Sequence, residues 1–173
     1  MHVAQAGAQT VSTTPSASNL GAYMTVIQAR ADMAAGIIGG KETVSTALVR
    51  LKTLSAPAWC QFDPDGDYSS AAIQIGHRLL AAGKSVEAEL FFRAAEQSLV
   101  SVLARTPDSE PVIKAGYLGN LALIRGRYLG NPVQAVRDVT QALSLLPNDS
   151  NLTALRDSIG RDKAELLKSP ING

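Results

Sequence analysis

The sequence predicts an all-α fold, and three observations carry that expectation. Alanine and leucine together supply over a quarter of the 173 residues, whereas aromatic residues make up only 5%. Small and γ-branched side chains suit helices that pack closely on one another. Apolar residues recur at spacings of three and four, the period that gathers side chains on one helical face. Finally, no long stretch alternates apolar with polar residues between turns, so strand signals are poor throughout. With 46% apolar and 18% charged residues, the chain is too apolar for disorder and long enough for one domain with its own core.

Seven helical segments follow in order. Residues 1–29 contain no Asp, Glu, Lys or Arg, and 1–18 read as a flexible leader or as the start of a mature exported chain. The first helix is expected over about Asn19–Gly36, capped by Ser18 or Asn19 and broken by Gly39-Gly40. The second spans about Lys41–Leu54, where Val44, Ala47, Leu48, Leu51 and Leu54 share a face. A loop through Trp59, Cys60 and the aspartates Asp63, Asp65 and Asp67 leads to a third helix, expected from near Tyr68 to Ala82 with Asp67 or Ser69 as its cap. The fourth runs over about Ser85–Ala104 with Ser85 as N-cap, and the fifth over about Pro111–Leu129, closed by Gly130. Asn131-Pro132 opens the sixth, a cap followed by proline at the first helical position, where no N–H is needed. It ends at Leu146-Pro147, and the last helix covers about Ser150–Lys168 ahead of a disordered tail, 169–173. The domain is therefore 19–168.

These helices repeat in pairs. From Ala72 the chain reads Ala72-x-x-Ile75-Gly76-x-x-Leu79, then Gly83, Ala88-x-x-x-Phe92 and Ala95. A second unit, beginning near Gly116, has Gly130 at the turn, then Ala135-x-x-x-Val139, Ala142 and Pro147. This pattern resembles the tetratricopeptide repeat, in which small residues sit where the helices of a hairpin cross and large ones fill the gaps between hairpins. Ala72 and Leu79 replace the signature's tryptophan and tyrosine, and Leu123 and Gly126 stand where the second unit wants glycine and tyrosine. Corresponding positions of the two units, such as Gly83 and Gly130 or Ala88 and Ala135, lie 47 residues apart, against about 34 in the family. Residues 20–56 form a third, poorly matching hairpin around Gly39-Gly40. The resemblance implies a right-handed α-α superhelix of about three hairpins, with the final helix as a polar-faced cap.

Chemistry is excluded more readily than it is assigned. Sixteen basic and fifteen acidic residues give a net charge of +1, without the basic excess that phosphate backbones demand, so no nucleic-acid partner is expected. Cys60 is the sole cysteine, and only His2 and His77 supply imidazoles, so a disulfide framework and zinc motifs are absent. No apolar run is long enough to span a bilayer. Asp63-x-Asp65-Gly66-Asp67 has the alternating carboxylates of a calcium loop, but the positions that need glycine and glutamate hold Tyr68 and Gln74. Cys60 reads as a structural thiol, and Gly116, Gly119, Gly126 and Gly130 lack the strand that a nucleotide fingerprint requires. No catalytic residue, metal or cofactor is assigned.

The resemblance does imply a function. In tetratricopeptide proteins the first helix of each hairpin lines a concave peptide groove. Carried onto this sequence, those positions are Ser70, Ile73, Gln74 and His77 in one unit, and Tyr117, Asn120, Ile124, Arg127 and Tyr128 in the next. Between Pro111 and Arg137 lie four basic residues, Lys114, Arg125, Arg127 and Arg137, and no acid. The expectation is a non-catalytic adaptor, assembly factor or co-chaperone-like scaffold whose partner is a protein or peptide, acidic or carboxylate-bearing. A self-associating repeat module and a small enzyme or calcium-dependent module are the alternatives. The compartment stays open between cytoplasmic and exported.

Overall fold

The computed structural model of the chain describes residues 17–54 and 63–168, with side chains over 21–54 and 63–161. Seven helices are found among these residues: α1 (Ala17–Ile38), α2 (Val44–Thr53), α3 (Pro64–Ala81), α4 (Ser85–Arg105), α5 (Pro111–Arg127), α6 (Pro132–Leu145) and α7 (Ser150–Lys168). Every segment expected to be helical is helical, and no strand occurs among the described residues. The leader's first residues, the 55–62 segment with Trp59 and Cys60, and the tail lie outside them.

The helices pack as sequential hairpins. α3 lies against α4 and α5 against α6, while α1 touches α3, α2 touches α4, and α7 rests on both α5 and α6. Each hairpin turn is made by a glycine in the left-handed region: Gly40 (φ 67°), Gly83 (φ 74°) and Gly130 (φ 63°). A side chain at such an angle meets its own carbonyl, which is why glycine recurs there. After α3, Lys84 N donates to Leu79 O (2.9 Å) and Gly83 N to Leu80 O (3.0 Å). After α1, Lys41 N donates to Gly36 O (2.8 Å) and Gly40 N to Ile37 O (3.1 Å), so both helices end in the same reversal and leave few orphan carbonyls.

Two apolar clusters form the interior. One holds Met33, Ile37, Leu51, Ile75, Leu79, Phe91, Phe92 and Leu99 with Leu121 and Ile124 of α5. The other holds Ala115, Leu118 and Ala122 of α5 with Ala135, Val139, Ala142, Leu152 and Ile159. α5 thus serves both. The small positions sit where the repeat pattern puts them: an added Cβ on Gly76 would lie 2.7 Å from Phe92 Cε1. In the second unit Gly126 is no failed tyrosine position. Its missing Cβ leaves room for Ile159 Cγ1 at 3.0 Å and Ala135 Cβ at 3.3 Å, which lets α7 and α6 close on α5.

Several helix starts differ from expectation. α3 begins at Pro64 rather than near Tyr68, because Asp63, not Asp67 or Ser69, is its cap: Asp63 Oδ1 accepts from Asp65 N (2.9 Å) and Gly66 N (3.4 Å). α2 begins only at Val44, where Thr43 Oγ1 accepts from Thr46 N at 3.2 Å. Ser85 is the first residue of α4 rather than its cap, and Lys84 precedes it without a side-chain capping bond. α1 starts at Ala17, so Ser18 and Asn19 fall inside the helix. Asn131 does cap α6, accepting from Gln134 N at 3.3 Å.

Candidate functional site

α1, α3 and α5 border one open groove of about 670 Å3. A helix presents a wall when residues spaced by three and four point the same way. On α1 these are Tyr23, Ile27 and Arg30; on α3, Gly66, Asp67, Ser70 and Gln74; on α5, Ile113, Gly116, Tyr117 and Asn120. Val112, Val102 and Arg105 near the end of α4, Thr106 and Pro107 after it, and Asp63 and Glu110 before α3 and α5 complete the lining. The volume is that of a ligand-sized cleft, roughly 300–1,000 Å3.

Tyr117 ties the walls together. Gly66 has no Cβ, and one placed there would lie 3.1 Å from Tyr117 Cε1 and Cζ. The phenol of α5 can therefore lie directly over α3. Burial, and then the negative charges of Asp63 and Glu110, raise the Tyr117 pKa above that of an ordinary tyrosine.

Charge in the groove is mixed, with an acidic surplus. Arg30 is almost buried and pairs with Asp67, and its Nη2 also reaches Leu54 O at 3.4 Å. Arg105 Nη2 donates to Asp63 Oδ1 (2.9 Å) and Asp65 Oδ2 (2.7 Å), and the Arg105 hydrogen bond is the chief cause that lowers the Asp65 pKa. Glu110 is exposed, stands before α5 without a side-chain capping bond, and has no ion-pair partner among the described residues. Two guanidiniums, both engaged, thus stand beside three carboxylates that line the groove, Asp63, Asp67 and Glu110, while Asp65 holds Arg105 from outside the lining. Asp63 and Asp65 share Arg105 whereas Asp67 faces Arg30, so the aspartates do not converge on a common point. No group of three His, Cys, Asp or Glu suited to a metal is found among the described residues.

The residues expected to line a groove divide four ways. Ser70, Gln74, Tyr117 and Asn120 come together in it. Ile73 and Ile124 belong to the core instead: Ile124 is fully buried, because the face of α5 that meets α3 turns inward one turn past Asn120. His77 and Tyr128 form a separate aromatic cluster with Phe92, the Phe92 and Tyr128 rings stacked at 4.2 Å and the His77 centroid 5.2 Å from Tyr128. Burial in that cluster lowers the His77 pKa. Arg127 donates to Ser158 Oγ on α7 at 2.9 Å.

The basic run of α5 and α6 does not line the groove either. Lys114 Nζ meets Asp108 Oδ1 at 2.5 Å. Arg125 lies between α4, α5 and α6, donating to Glu96 (2.7 Å) and Asp138 (2.8 Å). Burial opposes its charge, but the two carboxylates outweigh that and raise its pKa. The α1 wall and Arg105 escaped the sequence reading. The spacing of Tyr23, Ile27 and Arg30 was a usable signal; the Asp63–Arg105 pair, 42 residues apart, left none.

No protein-family model matches this chain, and comparison with curated proteins finds no match. The hairpin packing therefore stands on its own geometry. No helix among the described residues is long and apolar enough to cross a membrane.

Proposed function

We propose that the chain is a non-catalytic protein–protein interaction module of tetratricopeptide-like architecture. Its hairpins form a right-handed superhelix, and a partner segment lies along the inner side, between α1, α3 and α5. The reading rests above all on the groove itself: three successive first helices, one from each hairpin, contribute to a single open cleft. Its walls alternate apolar contact from Ile27, Ile113 and Tyr117 with amide groups from Gln74 and Asn120. That combination suits a polypeptide, whose side chains need pockets and whose backbone needs hydrogen-bond partners.

Gln74 is exposed and Asn120 half-buried, so both can be shortened without opening the core. A partner recovered with the full chain is first mapped to its shortest binding segment. Titration calorimetry of that segment against the Gln74→Ala/Asn120→Ala variant is expected to give a Kd raised about tenfold, the worth of one or two net hydrogen bonds. An unchanged Kd with an unchanged circular dichroism spectrum rejects the groove.

A further inference from the structure

We infer that the segment taken by this groove is cationic and apolar, a basic side chain set beside a bulky aliphatic or aromatic one. The inference rests on the groove being the binding face and adds the chemistry of its occupant. The sequence alone pointed the other way, to an acidic partner gripped by the bases of α5 and α6. Those bases are elsewhere: Lys114 is held by Asp108, Arg125 by Glu96 and Asp138, and Arg127 by Ser158, while Arg137 is exposed on α6 and outside the groove lining.

Among the charged side chains that line the cleft, Asp63, Asp67 and Glu110 outnumber Arg30 and Arg105. Arg30 and Arg105 are each held by aspartates, Arg30 by Asp67 and Arg105 by Asp63 and Asp65. An acidic ligand would have to compete with those pairs and meet Glu110 as well. A basic ligand meets Glu110 directly, without breaking any of them. Burial is the chief cause that raises the Tyr117 pKa, and the charges of Asp63 and Glu110 add to it in the same direction. Beside Glu110, Val112 is 66% and Ile113 48% exposed, an apolar strip at the rim that an aliphatic or aromatic side chain would cover. A lysine or arginine fits this edge, because its methylene stem lies along such a strip while its head reaches a carboxylate. Complementary charge at a rim sets partner choice and encounter rate more than total affinity.

The test pans a random dodecapeptide phage library on the immobilised full-length chain. Synthetic copies of the enriched peptides are then titrated against wild type, Glu110→Lys and Gln74→Ala/Asn120→Ala. Glu110 is exposed and makes no capping bond, so its reversal leaves the fold standing, as circular dichroism checks. Enriched peptides are expected to carry net positive charge and a bulky apolar residue. Their affinity is expected to fall about five- to tenfold on Glu110→Lys, and to weaken as salt rises from about 50 to about 300 mM. Acidic or uncharged peptides that still need Gln74 and Asn120 would overturn the cationic occupant and leave the groove intact as a binding face. Cationic peptides indifferent to Glu110→Lys would overturn it too. No enrichment, or enrichment indifferent to both variants, overturns the groove along with its occupant. Concentration-dependent dimerisation in light scattering that Glu110→Lys abolishes would make a second copy of the chain the occupant, and refute the peptide.

Discussion

Glycine behaves in two opposite ways in these helices, and space alone decides which. At Gly76 an added methyl would press on the ring of Phe92, which is only 2% exposed and cannot move aside. At Gly116 nothing lies within 4 Å. Overpacking costs about 1–3 kcal/mol, whereas alanine in a helix interior is worth up to about 1 kcal/mol over glycine. Gly76→Ala is therefore expected to lower stability by about 1 kcal/mol or more, and Gly116→Ala to raise it by about 0.5–1 kcal/mol. Urea denaturation of the two variants, with wild type alongside, checks both signs; a stabilised Gly76→Ala would contradict the close α3–α4 approach. The repeat pattern had marked Gly76 as a small position, so this much was legible in the chain. It could not tell Asn120, which borders the groove, from Ile124, which is fully buried, because both occupy the same helical face.

Among the elements, the start of α3 concentrates most of the polar architecture. Asp63 caps it, Pro64 occupies the first turn, Ser98 Oγ on α4 donates to Asp65 O at 2.9 Å, and Arg105 bridges Asp63 and Asp65. Sequence reading treated this stretch as a loop with a passing likeness to a calcium site; the cap moves the helix start four residues upstream. The Asp65 pKa is lower in the folded chain than in the unfolded one, with the Arg105 hydrogen bond as chief cause. As pH falls through about 4, the unfolded state therefore takes up the proton first. Its contribution is present at neutral pH and lost on acidification through the folded-state value. The Asp65 side chain is 42% exposed, so solvent screening reduces that contribution to about a few tenths of a kcal/mol. Arg105→Gln should accordingly lose less stability than wild type between pH 6 and pH 3 (about neutral to about acid in these terms). Urea midpoints at the two pH values measure the difference, and parallel losses would remove the role given to Arg105.

On the scale of the whole molecule, the apolar interior among the described residues is divided between two clusters. Among the described residues the two apolar clusters meet through α5, and Leu103 packs against both. Ile159 of α7 is fully buried in the second cluster, against the bare backbone of Gly126. Truncation of a buried isoleucine to alanine costs about 2–5 kcal/mol. In a stacked array that loss falls on the element concerned and its neighbours. Ile159→Ala is expected to speed amide exchange through α6 and α7 while α3 and α4 keep their protection. Hydrogen exchange read by mass spectrometry distinguishes this from uniform loosening, which would point to a single cooperative core.

The sequence by itself determined that the chain is helical, where its seven helices lie, and where Gly40, Gly83 and Gly130 turn one helix back on the next. Those features depend on local rules: side-chain period, capping chemistry and the backbone angle that only glycine adopts readily. Only the tertiary structure decided which part of each face stays open. It buried Ile124, stacked Tyr128 on Phe92, set Arg125 between Glu96 and Asp138, and brought Tyr23, Ile27 and Arg30 to the same cleft as Tyr117. Charge neutralisation and burial are properties of pairs far apart in the chain, so a local pattern can name the residues of a face without saying whether water, another helix or a partner will cover them.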